Sequence, residues 1–324
     1  MSSKARGLAD LGNAFDDGAI TGTNMVINGA MQVAQRGTSV TGGTSGYNTA
    51  DRWYLRRTAS GVTFDSDVTG GVLTCENPSS AAGFDLRHGV EWEDRFYGKT
   101  MTLTFTATTG SGTIHVDASV VDGSVSATTS EERCHLQGTT TDITDYEGPG
   151  LVKSGNNYKI TFDVPSDADV SFTPDMLRIA VGNTSASSQS ITLANVQLEV
   201  GDTATSFEHR SYGDELARCQ RYFYRYTGGS DDRWGVSYSS NNSTTSTSVS
   251  FPVTMRSVPT GVVSSNGLLR VRDLADGAGG DITPSTLGCV AATKDRWKIT
   301  VNAQLSNAAQ ILAFATKLDF DAEL

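Results

Sequence analysis

The chain reads as all-β, built as two sheet-based bodies in series, and three observations predict this. Apolar-alternating runs of ~4–8 residues recur along most of its length, which is the period of half-buried strands. Glycine is frequent, at 34 of 324 residues, and turn markers such as Gly42-Gly43, Gly70-Gly71 and Gly148-Pro149-Gly150 separate the runs. Helix-favouring runs are scarce, so the composition is that of a sandwich or barrel. At ~100–200 residues per domain, the length gives two domains with a sizeable core.

Residues 1–23 precede the first strand pattern and carry Leu8, Leu11 and Phe15 as a small apolar stripe among Asp10, Asn13, Asp16 and Asp17. A helix this short is marginal alone in water. The segment is either a disordered leader or a docking peptide that orders against a partner.

From 24 to 210 the predicted strands come at short intervals: 25–28, 31–35, 52–57, 62–68, 72–76, 84–91, 100–108, 113–121, 158–164, 177–181 and 191–200. Met101 to Ala107 and Tyr158 to Val164 alternate cleanly, so each has one face on a core and one toward water, and two packed sheets follow. The last run places Ile191, Leu193, Val196, Leu198 and Val200 inward with a one-residue slip near Asn195, a predicted bulge.

Residues 211–227 form a pivot. Ser211 followed by Asp214 predicts a helix start, with Leu216 and Cys219 on the buried side. Arg221 to Tyr226 fits both a helical stripe and a strand; its aromatic content and the Thr227-Gly228-Gly229 stop favour the strand. Residues 228–324 then repeat the strand-and-turn pattern at 234–238, 247–254, 268–272, 288–292, 297–301 and 311–320. Roughly a hundred residues of this kind form a marginal domain, which burial against sister copies would remedy.

Specific sequences carry a resemblance. The run "ANVQLEVG" leading through "FEHRSYGDELARCQRYFYR", with "NMVINGAMQVAQRG" and "YNTADRW" near the front, "FPVTMRSVPT" in the last third and the terminal "DAEL", resembles tail-fibre and other receptor-binding tail proteins of tailed bacteriophages. The resemblance covers nearly the whole chain from Asn24. It implies a carbohydrate-module-like jelly roll at 24–210 and a smaller C-terminal β-sandwich domain at 228–324 that meets the host surface. It further implies a homotrimer in a virion tail fibre assembled in the host cytoplasm. Residues 1–23 would then dock on a tail adaptor or nozzle protein, and the receptor would be a bacterial surface glycan or protein. Structural calcium in the jelly roll is allowed by it.

The net charge is 25 − 36 = −11 with no Lys/Arg block, which disfavours nonspecific attraction to nucleic acid or an anionic membrane. No apolar run approaches the ~20 residues that cross a bilayer, and no secretory leader pattern precedes Ala5. Cys75, Cys134, Cys219 and Cys289 never form a C-x-x-C, so buried free thiols are expected. His88, His115, His135 and His209 lack zinc spacing, and Asp65 with Asp67, Asp142 with Asp145 and Asp167 with Asp169 do not match the twelve-residue calcium loop.

Three of the four tryptophans follow Asp-Arg: Trp53, Trp234 and Trp297. All three read as core fillers at strand entries; Trp234 or Trp297 would alternatively offer a stacking face for a sugar, with Arg233 and Tyr238 as further C-terminal candidates. Glu91, Glu93 and Asp94 surround Trp92 and Tyr97. The two glutamates on one strand would suit glycoside hydrolysis, whereas Trp92 and Tyr97 would suit glycan contact and a solvated rim needs no ligand at all. The expectation is a non-catalytic receptor binder. A virion polysaccharide depolymerase and a purely architectural tail connector or capsid decoration are the alternatives.

Overall fold

A computed structural model describes residues 24–57, 64–77, 83–109, 114–126, 128–136, 152–183, 189–227, 233–241, 244–263, 269–273, 279–282, 287–291, 293–302, 309–314 and 317–323. The expected docking residues Leu8, Leu11 and Phe15 lie outside the described residues, as do Asp142 and Asp145. The chain forms two units, Met1–Glu215 with Leu324, and Leu216–Glu323.

The first unit contains β1 (Ser39–Gly43), β2 (Gly46–Tyr47), β3 (Tyr54–Arg57), β4 (Phe64–Thr69), β5 (Val72–Asn77), β6 (Phe84–Glu91), β7 (Thr100–Thr109), β8 (Ile114–Gly123), β9 (Thr128–Leu136), β10 (Val152–Ser154), β11 (Asn157–Asp163), β12 (Met176–Asn183) and β13 (Gln189–Val200). They make a jelly-roll β-sandwich of two antiparallel sheets, ordered β1-β4-β5-β13-β7-β11-β10 and β2-β3-β6-β12-β8-β9. Alternation fixes which residues face inward. On β7, Met101, Leu103, Phe105 and Ala107 are buried between the sheets, while Thr104, Thr106 and Thr108 point outward. β6, β12 and β8 contribute Phe84, Leu86, Val90, Leu177, Ile179, Val181, Ile114, Val116, Ala118 and Val120 to the same core.

β13 carries the predicted irregularity: its register against β7 slips between Ala194 and Gln197, and Asn195 sits at φ 50°. The slip opens the ladder to another segment. Met25 N donates to Leu198 O at 2.9 Å and Val196 N to Gly29 O at 2.9 Å. Gly29 is required there, since a Cβ would lie 2.1 Å from Val196 O.

The strands expected at 25–28 and 31–35 are therefore corrected to an irregular turn. Asn28 and Met31 adopt φ 58° and 53°, which ends any extended run. The Asn28 side chain accepts from Gln32 N and Val33 N and donates to Val33 O and Asp51 O, all within 2.8–3.0 Å, so it replaces a strand ladder with its own bonds. The strand expected at 52–57 begins later, at Tyr54, because Arg52 holds φ 71°. The turn is clamped from the far end of the unit. Asn28 N donates to Glu215 Oε1 at 2.5 Å, Asn24 N to Glu208 Oε2 at 2.8 Å, and Arg210 donates to the carbonyls of Asn24 and Val26. Beneath it His88 lies fully buried, its Nε2 3.0 Å from Ile27 O and its ring 5.2 Å from that of Trp53.

Helix α1 (Tyr212–Gln220) starts as expected: Asp214 N donates to Ser211 Oγ at 3.2 Å, and Cys219 is buried. The second unit contains β14 (Phe223–Thr227), β15 (Arg233–Asn241), β16 (Thr244–Ser250), β17 (Thr260–Val263), β18 (Leu269–Asp273), β19 (Gly279–Ile282), β20 (Leu287–Ala291), β21 (Arg296–Asn302), β22 (Ala309–Phe314) and β23 (Lys317–Asp321). They form a three-stranded sheet, β14-β23-β17, and a seven-stranded one, β19-β18-β22-β15-β16-β21-β20. The Arg221–Tyr226 ambiguity resolves as strand β14, whose Tyr224 and Tyr226 meet Phe320 and Trp297 while Arg225 grips Asp319 at 2.6 Å. Cys75, Cys134 and Cys219 are free thiols, and burial pushes Cys75 and Cys134 up to about 12; the Cys289 side chain lies outside the described residues.

Candidate functional site

The residues alternating with the core on the six-stranded sheet are unusually polar for positions so well covered. Register sets them in rows. Arg56, Asp85, Gly182 and His115 face one another across β3, β6, β12 and β8; Tyr54, Arg87, Ala180 and Asp117 form the next row; Gly89, Arg178 and Ser119 the third. Four strands at ~4.8 Å spacing make each full row about 14 Å wide. Gly182, Ala180 and Gly89 give a low floor, and the long polar side chains stand around it.

Each described charge in this patch has a partner. Asp85 is held by Arg56 Nη2 at 2.9 Å and Arg87 Nε at 2.8 Å. Arg178 Nη2 lies 2.8 Å from Glu131 and 3.9 Å from Asp117. Ser119 Oγ lies 2.7 Å from both Asp117 Oδ1 and Glu131 Oε1, and Arg87 Nη1 donates to Val125 O at 3.1 Å. Exposure grades across it. The Arg178 side chain is 3% exposed, Asp117 17%, Glu131 22% and Arg56 40%, so the patch opens to solvent from its charged rim.

Two polar atoms are left over. Arg178 Nε and His115 Nδ1 are buried without a hydrogen-bond partner. An unmet buried polar group costs about 1–3 kcal/mol, a cost that an ordered water or any other polar group placed beside it relieves. Burial lowers the His115 pKa, with Asp85 and Asp117 opposing it, and burial likewise lowers that of Arg87 against the pull of Asp85. His115 also explains Gly182, because a Cβ there would fall 2.3 Å from its Cε1 and 2.4 Å from Phe84 O. At one edge Tyr54 meets Tyr47 edge-to-face at 5.3 Å, and Arg36 lies 5.0 Å over the Tyr47 ring. The ensemble offers donors, acceptors and an aromatic edge, with every carboxylate already engaged by an arginine or a hydroxyl.

The residues singled out in the sequence fare differently. Trp297 is corrected from a stacking face to a core residue: it is 0% exposed, with Phe320 at 5.0 Å, so no ligand can lie on it. Trp53 is likewise core, its Nε1 donating to Asn28 O at 3.1 Å. The side chains of Arg233, Trp234 and Tyr238 lie outside the described residues. Trp92 and Tyr97 are half-buried, their rings 4.8 Å apart edge-to-face, with Trp92 packed on the core. Burial raises the Tyr97 pKa, reinforced by Asp167, which its hydroxyl bonds, and Asp94. The shared-strand geometry expected of Glu91 and Glu93 fails because β6 stops at Glu91; Glu93 leads a 3-10 turn (Asp94–Phe96) and pairs with Arg95 at 2.6 Å. Among the described acidic turns, Asp65 accepts from Gly42 N, Asp67 from Thr69 Oγ1 and Asp169 from Ser166.

A concavity of about 310 Å³ lies on the outer face of the first unit's seven-stranded sheet, lined by Thr104, Thr106, Asn157, Lys159, Asn195 and Phe207 among others. Its one charged side chain, Lys159, is tied to Asp202 O at 2.9 Å. The walls are mostly apolar, and it lacks the buried unmet donors of the other face. The sequence signal for that other face was the even spacing of Asp85 and Arg87, of His115, Asp117 and Ser119, and of Arg178, Ala180 and Gly182 opposite apolar neighbours. Period-2 reading finds each set singly, and only the register joins them.

No family model matches the chain, and no curated protein matches it. Among solved structures it is similar to a CBM4 module (18% identity, 46% of this chain and 95% of that one, TM-score 0.29). It is also similar to the enzymatically active domain of tailspike protein 4 of bacteriophage CBA120 (15%, 55% and 22%, TM-score 0.29). A third is the N-terminal cellulose-binding domain of Cellulomonas fimi β-1,4-glucanase C (18%, 52% and 98%, TM-score 0.28). Likenesses this slight carry no functional argument for the chain.

Proposed function

We propose that the chain is a non-catalytic receptor-binding component of a bacteriophage tail that takes a bacterial surface glycan on the outer face of the six-stranded sheet. The observation that carries the reading is the buried polar patch around Arg178, Arg87 and Asp117, whose unmet Arg178 Nε and His115 Nδ1 suit hydroxyl groups. A sugar hydroxyl can both donate and accept, which no fixed ion pair inside the patch does. Binding rather than hydrolysis is favoured because each patch carboxylate is held in a salt bridge or by Ser119, leaving none free as proton donor. The tail assignment rests on the sequence resemblance, which also supports a homotrimer and an adaptor-docking segment at 1–23. Three weak sites held together would raise avidity by ~10²–10⁴ over one.

The test is a glycan array probed with the intact protein and with Arg87→Ala and His115→Phe variants, alongside an assay of released reducing ends. Retention of a glycan by the wild type, its loss in both variants and no release of sugar is the expected result. Turnover of a bound polysaccharide would replace the reading with a depolymerase.

A further inference from the structure

The same patch, on the reading just given, selects its ligand by charge. We infer that it takes neutral, hydroxyl-rich glycans and excludes those bearing uronate, sulfate or phosphate. Among the described side chains the sheet places three guanidinium groups here, Arg56, Arg87 and Arg178, which taken alone would suggest an anion site. Each is spent internally. Arg56 and Arg87 share Asp85, and Arg178 is divided between Glu131 and Asp117.

Among the described side chains these three cations meet three carboxylates, Asp85, Asp117 and Glu131, and Arg36 at the Tyr47 edge lies 3.9 Å from Asp51, so each described cation is offset by a carboxylate. An anionic sugar brought toward Arg178 would also arrive beside Asp117 and Glu131, the carboxylates at the more open rim. It would lose its own hydration and meet like charge at short range in a partly buried setting, where screening is weak. The chain's charge of −11 adds long-range repulsion of the same sign.

A neutral hydroxyl meets none of these costs. It can accept from Arg178 Nε, which is buried and unpartnered although Nη2 of the same group is bonded, and donate to a nearby carboxylate lone pair. Toward His115 Nδ1 a hydroxyl fits either tautomer, donating to the bare nitrogen or accepting from the protonated one. Anionic oxygens can only accept. Two unmet atoms of adjustable or donor character, set among filled ion pairs, therefore match a polyol better than an acid.

The experiment titrates intact protein with neutral polysaccharides (β-glucan, xylan, mannan, dextran) and acidic ones (alginate, pectate, hyaluronate) between about 0.02 and 0.5 M salt, the range over which exposed charge is progressively screened. At least one neutral polysaccharide is expected to bind with affinity that changes less than about twofold across that range, and the acidic set to stay unbound. Arg178→Lys, which keeps the charge but removes Nε, is expected to weaken neutral binding about tenfold while its melting temperature shows it folded. Asp117→Asn, which removes a rim charge, is expected to admit the acidic set. Acidic polysaccharide bound by the wild type and released by salt would overturn the charge selection while leaving glycan binding intact. Absence of binding by every polysaccharide would overturn both.

Discussion

Among the described glycines, Gly29 is where an added Cβ would fall nearest another atom. Its carbonyl accepts from Val196 N, and a methyl group in place of its hydrogen would meet Val196 O at 2.1 Å. Backbone cannot yield as a side-chain tip does, so Gly29→Ala is expected to destabilise by at least the ~1–3 kcal/mol typical of overpacking. Urea denaturation reads this directly, and an unchanged midpoint would remove the close approach from the account. His88 makes a second residue-scale prediction. Burial first, then the nearby Arg52 and Arg210, hold its pKa well below the ordinary 6.5, against the pull of its bond to Ile27 O. The folded form thus binds fewer protons than the unfolded one. Its stability is complete above about pH 6.5 and declines as the pH falls below that value, by up to about 1.4 kcal/mol per unit. Unfolding free energies at about pH 7 and pH 5 should differ in that direction. His88→Phe should flatten the difference.

Among the elements, the turn 24–35 is knit from within by the Asn28 side chain. Asn28 makes four hydrogen bonds within 2.8–3.0 Å, at about 0.5–1.5 kcal/mol each, so Asn28→Ala is expected to cost roughly 2–6 kcal/mol. A loss under about 1 kcal/mol in the same denaturation series would show the turn is held by Glu215 and Arg210 alone. This turn also marks where sequence reading stops. Met25, Ile27, Met31 and Val33 alternate as a strand would, but Asn28 and Met31 take left-handed backbone and the pattern serves a knot of side-chain bonds instead. By contrast the slip at Asn195, the Ser211 helix start and the strand expected at 222–226, found at Phe223–Thr227, are legible, because each is decided by neighbours within a few residues. The polar patch was not. Arg87, Asp117 and Arg178 come together only through pairings that span tens of residues, and period-2 alternation is silent on which strand lies beside which.

The molecule as a whole divides at Glu215 and Leu216, and every residue of the polar patch belongs to the first unit. A chain ending at Gln220 is therefore expected to keep glycan affinity within about threefold of the intact protein, measured by calorimetry at matched concentration. Loss of binding in the fragment would move the recognition surface to the second unit, which contains Trp234 and Tyr238. The order of the seven-stranded sheet has a further consequence. Its last strand in sequence, β13, sits at the centre between β5 and β7, and the turn at Asn28 is fastened by Arg210 and Glu215 nearly two hundred residues later. No ribosome-bound intermediate shorter than that can close the sandwich. At ~5–20 residues per second, the nascent chain must wait roughly 10–40 s with its sheets unfinished, so chaperone demand during synthesis is written into the strand order.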